Sequence, residues 1–289
     1  MIRTARNILA AAGSAAILAG GMALAGAGAA SAATLPTCPG SHCTNNSQGL
    51  AGYYGADDNH THYRYVQTVT TASPTLIKLN GQNANTLGGV GVELCDPNLG
   101  IAAQLGVAFY GGSFHVNYLV GKFAAAPDPC ANNGIINGYL FRFGNPLGMN
   151  NVSPGDQLQL AIWYAPWGHH FHQLSFGVCD ITAGVCRQAY SGSHFNLNFW
   201  EFGIGAAANS QALTAPADNA LDTFSSNMVT CYTCSHQVPI TSVSPVNPYG
   251  IGGLTEAQFV NGSSQVTMSP NNSLSSGNSF TVYNGSTSA

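Results

Sequence analysis

Charge is what this sequence has least of. Of 289 residues, 7 are Lys or Arg and 11 are Asp or Glu, 6% in all. Binding to phosphates or to an anionic membrane needs clustered cations, so this composition excludes nucleic acid and membrane surfaces as partners. Glutamate occurs only at Glu93, Glu201 and Glu256, which shortens the search for carboxylate chemistry. Acid unfolding draws on protonation of native carboxylates and on charge repulsion, so a chain poor in both suits an acidic setting. Long apolar runs are missing too. After residue 32, none approaches the roughly 18 residues of a membrane-spanning helix, and no long helical periodicity appears.

What is present begins with a leader. Arg3 and Arg6 supply a positive start, Ile8 to Leu24 a short apolar stretch, and Ala30-Ser31-Ala32 a small-residue cleavage site. Residues 1–32 therefore read as a secretory signal peptide. The stretch is too rich in Ala and Gly for a permanent span, and the separated arginines argue against the twin-arginine route. The mature chain is expected to be secreted and extracellular.

All eight cysteines follow the leader: Cys38, Cys43, Cys95, Cys130, Cys179, Cys186, Cys231 and Cys234. An even count after an export signal reads as disulfides. Cys231-Tyr-Thr-Cys234 also has the spacing of a zinc ligand pair. Cys179 and Cys186 bracket Asp-Ile-Thr-Ala-Gly-Val, as at a hairpin tip closed by a bridge. Eight cysteines allow about 105 pairings, so the remaining connectivity stays open.

Short runs alternate apolar and polar residues between Gly, Asn, Pro and Ser clusters. The clearest are 63–70, 90–94, 101–110, 114–120, 138–143, 157–163, 173–178, 196–204, 227–231 and 280–283. In the sixth, Leu158, Leu160 and Ile162 share a face behind the Pro154-Gly155-Asp156 turn. This pattern predicts an all-β protein, a two-sheet antiparallel β-sandwich, occupying residues 51–289 as a single domain. Residues 33–50 are expected to form a loosely attached, disulfide-tied N-terminal arm. Residues 235–278 read as long surface connections with one helical turn at 254–259. Four Asn-x-Ser sequons begin at Asn151, Asn261, Asn271 and Asn284, though the leader looks bacterial.

Two polar residues sit oddly within apolar strands. With period two, Glu201 shares a face with Phe199, Gly203 and Gly205, and Gln104 with Ala102, Gly106 and Ala108. A polar residue flanked by Gly and Ala marks a place where a ligand approaches closely. Such alternation is also normal on a solvent-facing sheet, and spacing alone favours that reading.

Several segments resemble the glutamic peptidases (eqolisins, peptidase family G1), acid endopeptidases with a concanavalin A-like, jelly-roll type sandwich. Val90-Gly-Val-Glu-Leu94 resembles the family's Trp-Val-Gly-(Ile/Leu)-Asp-Gly strand, and Ala103-Gln-Leu-Gly106 its Gln-(Ile/Thr)-Gly strand. Pro154-Gly-Asp-Gln-Leu158 is similar to its Gly-Asp strand start, and Cys179-Asp-Ile-Thr-Ala-Gly184 to its Asp-x-Thr-x-Gly hairpin. Phe199-Trp-Glu-Phe-Gly-Ile204 resembles its Ala-Glu-(Trp/Phe)-Ile-(Val/Ile)-Glu strand. Ala220-Leu-Asp-Thr-Phe224, Leu254-Thr-Glu-Ala-Gln258 and Met268-Ser-Pro through Ser279-Phe-Thr-Val282 are similar to its C-terminal elements. The matches run in order over residues 52–283. The resemblance implies Glu201 and Gln104 as catalytic residues, with Glu93, Gly89, Tyr118 and Trp200 as substrate-cleft candidates. It implies a polypeptide substrate, no cofactor and a monomer.

Departures accompany it. The family's Trp is Gly89 here, its Asp is Glu93, and its second Glu is Gly205. Its Tyr-x-x-Trp-Tyr-Glu strand appears as Phe114-His-Val-Asn-Tyr-Leu-Val120. The alternative function is therefore a catalytically inactive sandwich acting as a secreted carbohydrate- or surface-binding module, with a polysaccharide as partner. Tyr53, Tyr54, Trp163 and Trp167 would then line a sugar groove, although aromatics in a sandwich are more often core. A third possibility is a metal held by His169, His170 and His172; polar loop tips beside aromatics are the simpler reading. No metal is expected.

Overall fold

Alternation becomes strand wherever one face can be buried. The computed structural model describes residues 43–46, 50–56, 62–72, 89–110, 113–123, 136–144, 149, 152–165, 168, 171–191, 194–207, 221–231, 236–240, 254–260, 266–270 and 278–284. All belong to one compact unit, Ala32–Ala289. The strands in chain order are β1 (Cys43–Asn46), β2 (Leu50–Ala56), β3 (Tyr63–Thr71), β4 (Gly89–Asp96), β5 (Ile101–Tyr110), β6 (Ser113–Phe123), β7 (Ile136–Gly144) and β8 (Gln157–Ala165). They continue as β9 (Gln173–Asp180), β10 (Val185–Tyr190), β11 (Glu201–Ala207), β12 (Leu221–Cys231), β13 (Val238–Pro239), β14 (Leu254–Val260), β15 (Val266–Pro270) and β16 (Phe280–Asn284). No helix occurs among the described residues.

Hydrogen-bonded neighbours run β10-β9-β8-β3-β12-β16-β15-β14-β2-β11-β4-β5-β6-β7, antiparallel throughout; off this path, β1 pairs in parallel with β14. The path doubles back on itself, so that β3 and β8 pack on β4, β5 and β11. The result is the expected antiparallel β-sandwich. Its interior takes one residue in two from each strand: Leu158, Leu160 and Ile162 of β8 meet Val90, Val92 and Leu94 of β4 and Phe202 and Ile204 of β11 in one core. Ring pairs stitch the layers together, Tyr63 on Phe202 at 4.9 Å and Tyr118 on Phe176 at 4.7 Å between centroids. Each such side chain contributes about 1.5–3 kcal/mol by leaving water.

Some polar groups inside the core are paired. Thr68 Oγ1 donates to Asn227 Oδ1 at 2.6 Å. Asn227 lies in a bulge of β12 and donates to the Asn278 carbonyl at 2.9 Å.

Two expectations shift. The helical turn expected at 254–259 is strand β14, because pairing with β2, β1 and β15 outweighs a short local preference. Part of the expected arm, Cys43–Asn46, forms β1, and Leu50 opens β2.

On the outer face of β2, β11, β4 and β5, register lines up Gly52, Gly205, Gly91 and Gly106. A Cβ at Gly205 would lie 2.3 Å from the Ala51 carbonyl oxygen, and one at Gly91 2.5 Å from that of Leu105. Neighbouring backbones thus lean over this face, bending the layer so that the face is concave. Only residues without a side chain permit that approach. Gly203 differs, since a Cβ there meets only Glu93 Cβ, at 3.7 Å.

Gly205→Ala is expected to destabilise the fold by about 1–3 kcal/mol through overpacking. Gly203→Ala is expected to stabilise it by about 0.4–1 kcal/mol through the unfolded chain. Urea unfolding midpoints of the two variants measure the contrast.

Tyr65, on the outer face of β3, is pushed up to about 12 by burial, against the opposing hydrogen bond from the Gln237 side chain. The fold favours the neutral phenol, so its contribution is intact below pH 10 and drains as pH rises through 12. Tyr65→Phe should flatten the loss of stability between about pH 10 and 12, as read by denaturant titrations across that range.

Candidate active site

Residues directly opposite in an antiparallel ladder share a face. Register sets Gly203 of β11 opposite both Tyr54 of β2 and Glu93 of β4, and Glu93 opposite Gln104 of β5. One row along, Glu201 lies opposite Ala56 and Cys95. Glu201, Glu93 and Gln104 therefore project from three adjacent strands onto the one concave face. All three are half-buried.

The Gln104 amide Nε2 donates to Glu93 Oε2. This bond fixes which end of the amide is donor, and it leaves the second N–H directed elsewhere. Glu201 is the diagonal neighbour of Glu93, about 7–8 Å away between Cα atoms. Among the side chains the structure describes, the titratable groups on this face are Glu93, Glu201, Tyr54 and His115. His115 reaches it through its pairing with Ala108 of β5.

The glycines flanking Glu201 and Gln104 do more than make room. Gly205 and Gly91 lie where the backbones crowd, whereas a Cβ at Gly203 would make only an ordinary contact with Glu93.

Other expected site residues fall in different places. Gly89, opposite Ala207, begins the same face at its far end. Tyr118 points the other way: it is 2% exposed and stacks on Phe176 across the sandwich, a core residue rather than a wall of the cleft. Burial raises its phenol above the ordinary value. Trp200 precedes β11 and meets His62 edge to face at 4.3 Å, while its backbone N–H bonds the Cys95 carbonyl. It sits at the rim between the layers. Tyr53 is also core, whereas Tyr54 faces the site.

His169, His170 and Trp167 lie outside the described residues. His172 closes the β8–β9 turn, with its backbone N–H on the Ala165 carbonyl and its ring stacked on Phe171 at 3.7 Å. Among the described residues, no group of three His, Cys, Asp or Glu could hold a metal ion. Cys179 and Cys186 are bonded across the β9–β10 hairpin, and Cys95 is also disulfide-bonded.

Sequence reasoning missed Asn117 of β6. It lies opposite Gly106 and thus on the concave face beside Gln104. The signal was the period of two in 114–120, which sets His115, Asn117 and Leu119 against Phe114, Val116, Tyr118 and Val120.

No protein-family model and no curated protein matches the chain. Solved structures show a distant likeness. One is scytalido-glutamic peptidase with a peptide-based transition-state analog, at TM-score 0.49 and 11% identity over 82% of this chain and 98% of that one. A second is scytalido-glutamic peptidase with a transition-state analog inhibitor, at TM-score 0.48, with the same identity and coverage. A third is SCP-B, a member of the eqolisin family, in complex with the tripeptide Ala-Ile-His, at TM-score 0.48 and again 11%, 82% and 98%.

The Glu93–Gln104 bond has a measurable strength. A double-mutant cycle of Glu93→Ala and Gln104→Ala, followed by chemical denaturation, should give a coupling of about 0.5–1.5 kcal/mol.

Proposed function

We propose that this protein is a secreted acid endopeptidase that hydrolyses peptide bonds with Glu201 and Gln104. The observation that carries the reading is the convergence of Glu201, Glu93 and Gln104 on one concave face floored by glycine. The ordered motifs that resemble glutamic peptidases support it. The leader and the Cys179–Cys186 bridge favour an oxidising, extracellular setting.

The chemistry follows from the groups. Attack on an amide needs a base for the water proton, a donor for the developing oxyanion, and a proton for the leaving amine. Ionised Glu201 takes the proton of a water held against the scissile carbonyl, and as that water's oxygen bonds to carbon, the carbonyl becomes an oxyanion. The second Nε2–H of Gln104 donates to that oxyanion. Protonated Glu201 then passes the proton to the amine nitrogen as the C–N bond breaks. An amide does not titrate, so Gln104 remains a donor at any acid pH.

Glu93 positions the Gln104 amide. It also explains an acid optimum. Above the carboxylate range, two anions would face the oxyanion; within that range, one carboxylate is ionised while the other keeps its proton.

Incubation of the mature protein with an unfolded polypeptide between about pH 2 and 5 should give cleavage with a bell-shaped rate profile. Glu201→Gln should lower kcat at least about a hundredfold, the scale of a lost general base. Cleavage by Glu201→Gln at the parental rate would sink the assignment.

A further inference from the structure

We propose that Asn117 holds the main chain of an extended polypeptide substrate about two residues from the scissile bond; this rests on the peptidase reading above. Asn117 is half-buried, and register places it on the same face as Gln104.

Its position suits a substrate. Asn117 is paired with Gly106, and Gly106 with Gly91, so bare backbone separates it from the rest of the face. Gly91 and Gly106 are also the half-exposed members of the glycine row, the stretch on which a chain can lie. Gln104 is paired with Leu119, which makes Asn117 its diagonal neighbour. Diagonal neighbours stand about 7–8 Å apart, and an extended chain advances about 3.3 Å per residue. A peptide whose carbonyl sits at Gln104 therefore presents its second residue onward to Asn117.

A chain lying on the face of a sheet cannot extend the ladder, since the N–H and C=O groups beneath it are already paired. Its own main-chain groups must find side chains. A carboxamide offers a donor and an acceptor together, the complement of a peptide unit, and it stays neutral in acid. Asn117 meets that requirement where a charged residue would bind chosen side chains instead. The enzyme so described takes an unfolded segment of several residues, with little regard to sequence at that subsite.

The test compares two peptides, one spanning only the scissile bond and one extended by three residues on each side, at about pH 3.5. In the parent, extension should lower KM about tenfold, the effect of one or two neutral hydrogen bonds. Asn117→Ala should reduce that gain to about twofold. Asn117→Asp should keep it near pH 3, where a protonated carboxyl is both donor and acceptor, and lose it near pH 6. A merely structural residue would not produce that pH dependence. A gain retained in Asn117→Ala, or no gain in the parent, overturns the proposal while leaving cleavage intact.

Calorimetric binding of the same peptides to Glu201→Gln protein reads the clamp without turnover. A length gain that needs Asn117, in a chain whose parent cuts nothing, upholds the clamp and removes the peptidase reading. Failure of both peptides to bind removes the clamp.

Discussion

The concave face depends on how closely four strands approach along Gly52, Gly205, Gly91 and Gly106. At Gly205 the neighbouring carbonyl stands where a Cβ would be. No rotamer relieves such a clash, because the obstacle is backbone on both sides. The bend follows from this, and so does the convergence of Glu201, Glu93 and Gln104 above it. The opposite side of the same strands carries Val92, Leu94, Leu105, Phe202 and Ile204 into the core. Curvature and packing are thus two results of one alternation, glycine on one face and bulk on the other.

Electrostatics reinforces the geometry. In a chain so poor in charge, two carboxylates on neighbouring strands are an expense that the core does not require. The Gln104 amide meets Glu93 directly, so the two polar side chains hold each other in place.

Much of this was legible in the sequence. Period-two alternation located strands such as Ile101–Tyr110 and Gln157–Ala165, and parity put Glu201 and Gln104 on glycine-bearing faces. Alternation within a strand says nothing about its neighbour, however. That Glu93 faces Gln104, and that Gly205 crowds Ala51, are properties of register between segments far apart in the chain. Tyr118 was misassigned for a related reason: matching it to a family motif overrode the parity that pairs it with Val116 and Val120 as core. Residues 254–259 read locally as a helical turn, and only their partners make the segment a strand. The cysteine spacing around 180–185 did carry its own answer, since two residues directly opposite at the end of a hairpin are within reach of each other.

That last bridge has a consequence for the life of the protein. β10 ends the ladder of described strands, with Val185 to Gln188 exposed. A terminal strand of this kind is the part of a sandwich most easily peeled away, and a peeled strand is the extended form that peptidases accept. Cys179–Cys186 ties it to β9 one residue pair from the turn. Peeling must then proceed against a closed loop. The exposed strand at this end of the ladder is thereby held against being drawn out.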